Sequence, residues 1–156
     1  MKIKRVLLGL IFIFSISSIH AQSAEVITDI LNADKVSFGQ VCYLVAVEKG
    51  FIKESSSYEE AIEALYKRNM IPSLVYEDTP VPMVNLAYLY SQIFDVKGGV
   101  LFKLFHGAPR YAYKQFKYDG VLPVTAFPEK LVSGQEALDI YTSCMIEYTD
   151  FQLTTE

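Results

Sequence analysis

Two stretches of the chain, VSFGQVCYL at residues 36–44 and VPMVNLAYL at residues 81–89, can be laid on each other. Val36, Tyr43 and Leu44 match Val81, Tyr88 and Leu89, and Val41 with Leu86 and Cys42 with Ala87 are similar pairs. After an insertion, a second offset pairs Ala61 with Ala112, Ile62 with Tyr113, Leu65 with Phe116, Met70 and Ile71 with Val121 and Leu122, and Pro72 with Pro123. Such duplication outweighs single motifs, because each unit of a repeat exposes an apolar face that only a neighbouring unit can cover. Each unit reads as a helix, a connection of variable length, a second helix and an exit segment, IPSL in one and LPVT in the other.

Helix punctuation agrees with this division. Ser37 with Gln40, Ser57 with Glu60 and Ser133 with Glu136 each fit the capping box, in which the hydroxyl accepts the N3 amide proton and the N3 side chain returns to the cap. The first helix is predicted from Phe38 to about Lys49, with Val41, Leu44, Val45 and Glu48 along one face and Gly50 as a left-handed stop. The second runs from Tyr58 to Arg68, with Tyr58, Ala61, Ile62 and Leu65 inward and Glu59, Glu60, Glu63 and Lys67 outward. A third begins near Pro82 and ends about Phe94, burying Leu86, Leu89, Tyr90 and Ile93. Pro109 opens a fourth through Tyr118, with Ala112, Tyr113 and Phe116 as its apolar face and Gly120 as its stop. The last follows Ser133 and carries Ala137, Leu138, Ile140, Tyr141 and Cys144. Between them, Gly98 and Gly99 break the pattern, and Val100 to Phe105 fits a short strand or a helical turn equally. The expected fold is therefore all-α: a small bundle of about five helices, made of two helix–loop–helix repeats and a closing helix that resembles the start of a third unit.

This layout resembles S-layer homology modules, whose units pair a helix after a polar cap with a second helix leading into a Gly-Ile-like exit; EALYKRNMI (residues 63–71) and YKQFKYDGV (residues 113–121) resemble that exit. The resemblance covers roughly residues 34 to 146 and implies a small helical domain of the kind that holds cell-wall polysaccharide. The family signature also implies a basic residue at the start of each first helix. This chain has Phe38, Gly39 and Gln40 in one unit and Met83, Val84 and Asn85 in the other, so the family's site does not transfer with its fold.

Lys2, Lys4 and Arg5, the apolar run from Val6, and the small or polar residues Ser17 to Ala21 make residues 1–21 a secretory signal peptide, cleaved after Ala21 or alternatively Ala24. The uninterrupted run from Val6 to Phe14 is shorter than the roughly 20 residues that span hydrocarbon. No Cys adjoins either cleavage point, so the expected product is periplasmic or secreted, without a lipid anchor or a stable transmembrane segment. Residues 22–34 are a linker or short helix, 35–148 a single helical domain, and 149–156 a polar tail.

The chain carries 14 Lys and Arg against 18 Asp and Glu, and cleavage removes three of the basic residues and none of the acidic ones. So acidic a product argues against nucleic-acid binding, which depends on neutralising phosphates. Cys42 and Cys144 are read either as a disulfide joining the first and last helices or as two buried thiols. Cleavage leaves His106 as the one histidine, and it has no partner identifiable in sequence; the Cys and His spacing offers no metal site, and no cofactor motif is present. Paired carboxylates such as Glu59 with Glu60 and Glu77 with Asp78 are solvated helix starts and turns.

One segment departs from the acidic background. No acidic residue lies between Asp95 and Asp119, while Lys97, Lys103, Arg110, Lys114 and Lys117 alternate with Phe102, Phe105, Tyr111, Tyr113 and Tyr118. Arg110, Lys114 and Lys117 fall at i, i+4 and i+7 and share a helix face. Lys103, Arg110, Tyr111, Lys114, Lys117 and Tyr118 are the candidate binding residues, suited to an anionic glycan, a lipid headgroup or an acidic envelope protein. A solvated face paired with acidic neighbours of the first unit is the competing reading. The sequence thus points to a non-enzymatic binding or scaffolding module of the cell envelope, with a carbohydrate-binding module for anionic polysaccharide as the alternative.

Overall fold

The computed structural model describes residues 25–71 and 73–149. The segment expected to be a signal peptide (residues 1–21), Pro72 and the tail beyond Thr149 lie outside the described residues. Within them the chain is all-helical: α1 (residues 25–32), α2 (Phe38–Glu48), α3 (Tyr58–Tyr66), α4 (Met83–Ile93), α5 (Val100–Leu104), α6 (Pro109–Tyr118) and α7 (Gly134–Tyr148). Seven helices replace the five expected. The additional ones are α1, in the segment read as linker or short helix, and α5, in the segment whose periodicity left helix and strand undivided.

Backbone hydrogen bonds join the segments that precede α2, α4 and α7. Val36, Val81 and Val132 each precede the cap of a helix (α2, α4 and α7), and their peptides close a ring: the Val36 amide donates to the Val132 carbonyl at 2.8 Å, Val81 to Val36 at 2.9 Å, and Val132 to Val81 at 3.2 Å. All three valines are fully buried. A second ring surrounds the first. The amides of Phe38, Met83 and Gly134, the first residues of α2, α4 and α7, donate to the carbonyls of Thr79, Lys130 and Ala33, each at 2.8 Å. These amides have no partner within their own helices, so a neighbouring segment satisfies each of them. Ala33 follows α1 as Thr79 follows α3 and Lys130 follows α6; α1 thus supplies the segment that the start of α7 needs.

Inside this frame α2 packs on α3 and α4 on α6, while α4 also touches α2 and α7. The inner position of α2 and α4 explains a difference in burial. On α2, Phe38, Gly39, Gln40, Cys42, Tyr43 and Ala46 are buried along with Val41 and Val45, and Leu44 is only half-buried. A helix enclosed on most sides has no single inward stripe to read. The outer helices keep theirs: Ala61, Ile62 and Leu65 on α3, and Ala112, Tyr113 and Phe116 on α6, are buried.

The caps at Ser37 and Ser57 form complete capping boxes. At Ser133 only half a box forms. Its hydroxyl accepts from the Glu136 amide at 3.2 Å, but the Glu136 carboxylate takes Lys130 Nζ at 2.7 and 2.9 Å instead of returning to the cap. A bond between two ionised groups displaces one in which only the carboxylate is charged. Left-handed residues close the helices at matching places in the two units: Gly50 (φ 67°) and Asp95 (φ 46°) after α2 and α4, Asn69 (φ 57°) and Gly120 (φ 80°) after α3 and α6. The left-handed stop after α4 is therefore Asp95, ahead of Gly98.

Cys42 and Cys144 are free, fully buried thiols. Burial pushes each of them up to about 12.

Candidate functional site

The connection between α4 and α6 is longer than the one between α2 and α3, and it carries α5. None of the residues of α5 is buried. Val100, Leu101, Leu104 and Phe105 fall at i, i+1, i+4 and i+5, so they form one stripe along its length, and all four are exposed, Val100 to 81% and Leu104 to 64%. The half-buried Phe102 points the other way, packing against the core. A Cβ at either Gly98 or Gly107 would collide with the Phe102 ring, and both glycines have positive φ, so the two turns around α5 close on this one side chain.

Helix α6 holds this excursion in place. Gln115 Oε1 accepts from the Gly99 amide at 2.8 Å, and Gln115 Nε2 donates to both oxygens of Asp119 at 2.8 and 3.0 Å. Asp119 in turn accepts from the Tyr148 hydroxyl, so the start of α5 is tied through α6 to the end of α7. Burial, followed by the Asp119 hydrogen bond, raises the Tyr148 phenol well above its ordinary range. The Phe105 and Tyr111 rings stack with centroids 4.3 Å apart and planes 1° from parallel. Lys114 Nζ stands 5.9 Å from the Tyr111 centroid, which adds a cation to the same column.

The candidate residues therefore divide into two groups. Lys103, Arg110 and Lys114 are exposed beside α5 with the half-buried Tyr111 between them. Lys117 is half-buried at the other end of α6, where its Nζ donates to the Ala126 carbonyl at 3.3 Å and lies 5.4 Å from the Tyr113 centroid. Tyr118 is 87% exposed beyond it. Lys117 is engaged by its own fold, and the accessible basic group is Lys103, Arg110 and Lys114, joined by the exposed Lys97. The ion pairs among the described residues are Lys49 with Asp95, Lys67 with Glu63, and Lys130 with Glu136, so none of these cations meets a carboxylate there. The exposed stripe of α5 escaped the sequence reading, although the change of offset between the two repeat blocks marks the inserted segment.

Among the described residues, two concave regions lie elsewhere. A groove of about 740 Å³ between α3 and residues 74–77 is lined by Glu59, Glu60, Glu63 and Glu77 over Ile62 and Val75. Glu60 is occupied by its capping box and Glu63 by Lys67. A cleft of about 300 Å³ between α2 and α7 is lined by Tyr43, Leu44, Val47, Glu48, Leu138 and Tyr141. Neither lining includes Cys, His or Ser. His106 is exposed, in a left-handed conformation (φ 50°) at the end of α5. Among the described residues no cluster of Cys, His, Asp and Glu is arranged to hold a metal ion, and no helix is long and apolar enough to cross a membrane.

At the start of α2, where S-layer homology modules carry their basic residue, the Gln40 side chain is committed to the fold. Its Oε1 accepts from the Ser37 amide and its Nε2 donates to Asp29, both at 3.0 Å. No protein-family model matches the chain, and no curated protein or solved structure matches it.

Proposed function

We propose that this chain is an exported, non-enzymatic binding or scaffolding module of the cell envelope, built on S-layer-homology-like units, with the α5–α6 face as its contact surface. The observation that carries the reading is the group Lys103, Arg110 and Lys114. These are three exposed cations with no carboxylate partner among the described residues, set beside a stacked Phe105–Tyr111 pair in an otherwise acidic chain. Concentrated charge of one sign next to aromatic surface serves recognition of an anionic partner. The backbone hydrogen bonds favour the repeat reading, because the first amides of α2, α4 and α7 each find an acceptor in the segment just before another of the three valines. The departures at Gln40 and Asn85 move the proposed contact away from the family's position and onto the inserted segment.

Capture of an anionic envelope polysaccharide is the second reading, favoured by the exposed rings of Phe105 and Tyr118. The test of the proposal is retention of the exported chain on an isolated envelope fraction. The triple variant Lys103→Glu, Arg110→Glu, Lys114→Glu should be retained at least about tenfold less, since each reversal turns an attraction into a repulsion. Undiminished retention would remove the α5–α6 face from the account.

A further inference from the structure

Resting on the reading of the α5–α6 face as a contact surface, we infer that its occupant is a membrane surface containing anionic phospholipid, into which the apolar stripe of α5 inserts. The observations come from three levels. In sequence, α5 lies in the segment that lengthens the second unit relative to the first. In packing, no residue of α5 is buried, and of its five residues Phe102 is the one packed against the core. In surface chemistry, Val100, Leu101, Leu104 and Phe105 form a continuous exposed stripe with Lys97, Lys103, Arg110 and Lys114 around it and no acidic residue between Asp95 and Asp119.

An anionic polysaccharide or an acidic protein surface would match the cations but leave four apolar side chains in water. A bilayer matches both features. Its headgroups accept the Lys and Arg side chains, and the acyl boundary a few ångströms below accepts the stripe. The bracing by Gln115 and Tyr111 holds the stripe outward before contact, so little ordering remains when it inserts.

The chain contains no Trp, so Leu104→Trp introduces a unique fluorophore on the stripe. The exported chain is mixed with vesicles of phosphatidylcholine alone and of phosphatidylcholine with phosphatidylglycerol, and bound protein is read by flotation and by the Trp emission. Binding to the anionic vesicles with a blue-shifted emission is expected, with at least about tenfold weaker binding to the neutral ones. Leu101→Ser with Leu104→Ser should lower partitioning by at least about tenfold, because two large apolar side chains no longer leave water. Lys103→Glu with Arg110→Glu should lower it by at least about 25-fold, at about fivefold for each lost cation near an anionic surface. These positions are exposed, and unchanged circular dichroism melts establish that the variants fold.

Four results would overturn the inference. Absence of vesicle binding alongside retention on envelope polysaccharide or envelope protein would leave the contact face standing and replace its occupant. Self-association that Leu101→Ser abolishes, without vesicle binding, would assign the stripe to a second copy of the chain. Vesicle binding insensitive to both pairs of substitutions would place the membrane contact elsewhere. Failure to bind vesicles, polysaccharide or envelope protein would remove the proposed function along with the inference.

Discussion

Gly134 is where the rings of backbone hydrogen bonds are most exposed to a single substitution. It is buried at the first position of α7, its amide donates to Ala33 at 2.8 Å, and a Cβ added there would lie inside the van der Waals sphere of the Ile30 carbonyl oxygen. That neighbour is backbone at the end of α1, so it yields only if α1 and α7 move apart. Such overpacking costs about 1–3 kcal/mol, and stretching the buried amide away from Ala33 costs about 1–3 kcal/mol more. The smaller entropy of the unfolded alanine chain returns about 0.4–1 kcal/mol. Gly134→Ala should therefore destabilise the domain by about 1–5 kcal/mol, with about 3 kcal/mol as the middle of that range. Gly50→Ala is the control: its φ is 67° but nothing lies within 4 Å of the added Cβ, so the left-handed penalty of about 1–2 kcal/mol, less the same entropy return, leaves about 1 kcal/mol. Urea unfolding followed by far-UV circular dichroism measures both, with an unchanged m-value showing that two-state behaviour is kept. A loss at Gly134 no greater than that at Gly50 would refute the closure of α7 on α1.

Tyr90→Phe should cost about 1 kcal/mol in the same assay, because the fully buried hydroxyl donates to the Ala137 carbonyl at 3.1 Å and leaves with its bond. Without reductant, the native chain should react slowly with a thiol reagent and release two equivalents once unfolded, as free buried thiols do and a disulfide does not. Cys42 and Cys144 ionise near 9 when unfolded and are pushed up to about 12 by burial. The stability they contribute is complete below pH 9 and is lost as pH rises from 9 towards 12, because only the unfolded chain releases those protons there. Replacing both by Ala should flatten that alkaline decline in the urea midpoint, and an unaltered slope would contradict the assignment. Gln115→Ala should release the start of α5, which loses its acceptor for the Gly99 amide, and should raise amide hydrogen exchange across Gly99–Leu104 without altering exchange in α2 or α4.

The parts legible in sequence were those with a local cause. Ser37 and Ser57 announce helix starts because capping chemistry needs only four consecutive residues, and Pro109 and Gly120 bracket α6 for similar reasons. Glu136 shows the limit, since its partner Lys130 lies upstream of the helix and wins by charge. Asn69 and Asp95 take left-handed conformations at places the repeat aligns with Gly120 and Gly50, so the duplication identifies stops that residue type does not. The inner helix α2 hid its neighbours because burial on most sides erases periodicity. Helix α5 hid its exposure for the opposite reason: an apolar stripe reads as core until the fold shows that none of the described residues buries it. The basic group was legible as charge, but the commitment of Lys117 to Ala126 is a tertiary fact.

Hydrogen exchange on residues 22–156, with and without envelope membranes, reports whether the proposed α5–α6 face is where this chain makes its contact. Added protection is expected across Gly99–Tyr118, strongest around α5, with none in the acidic groove at Glu59–Glu63 and Leu74–Glu77. Protection centred on that groove, or unchanged exchange across α5 and α6 in the bound state, would contradict it.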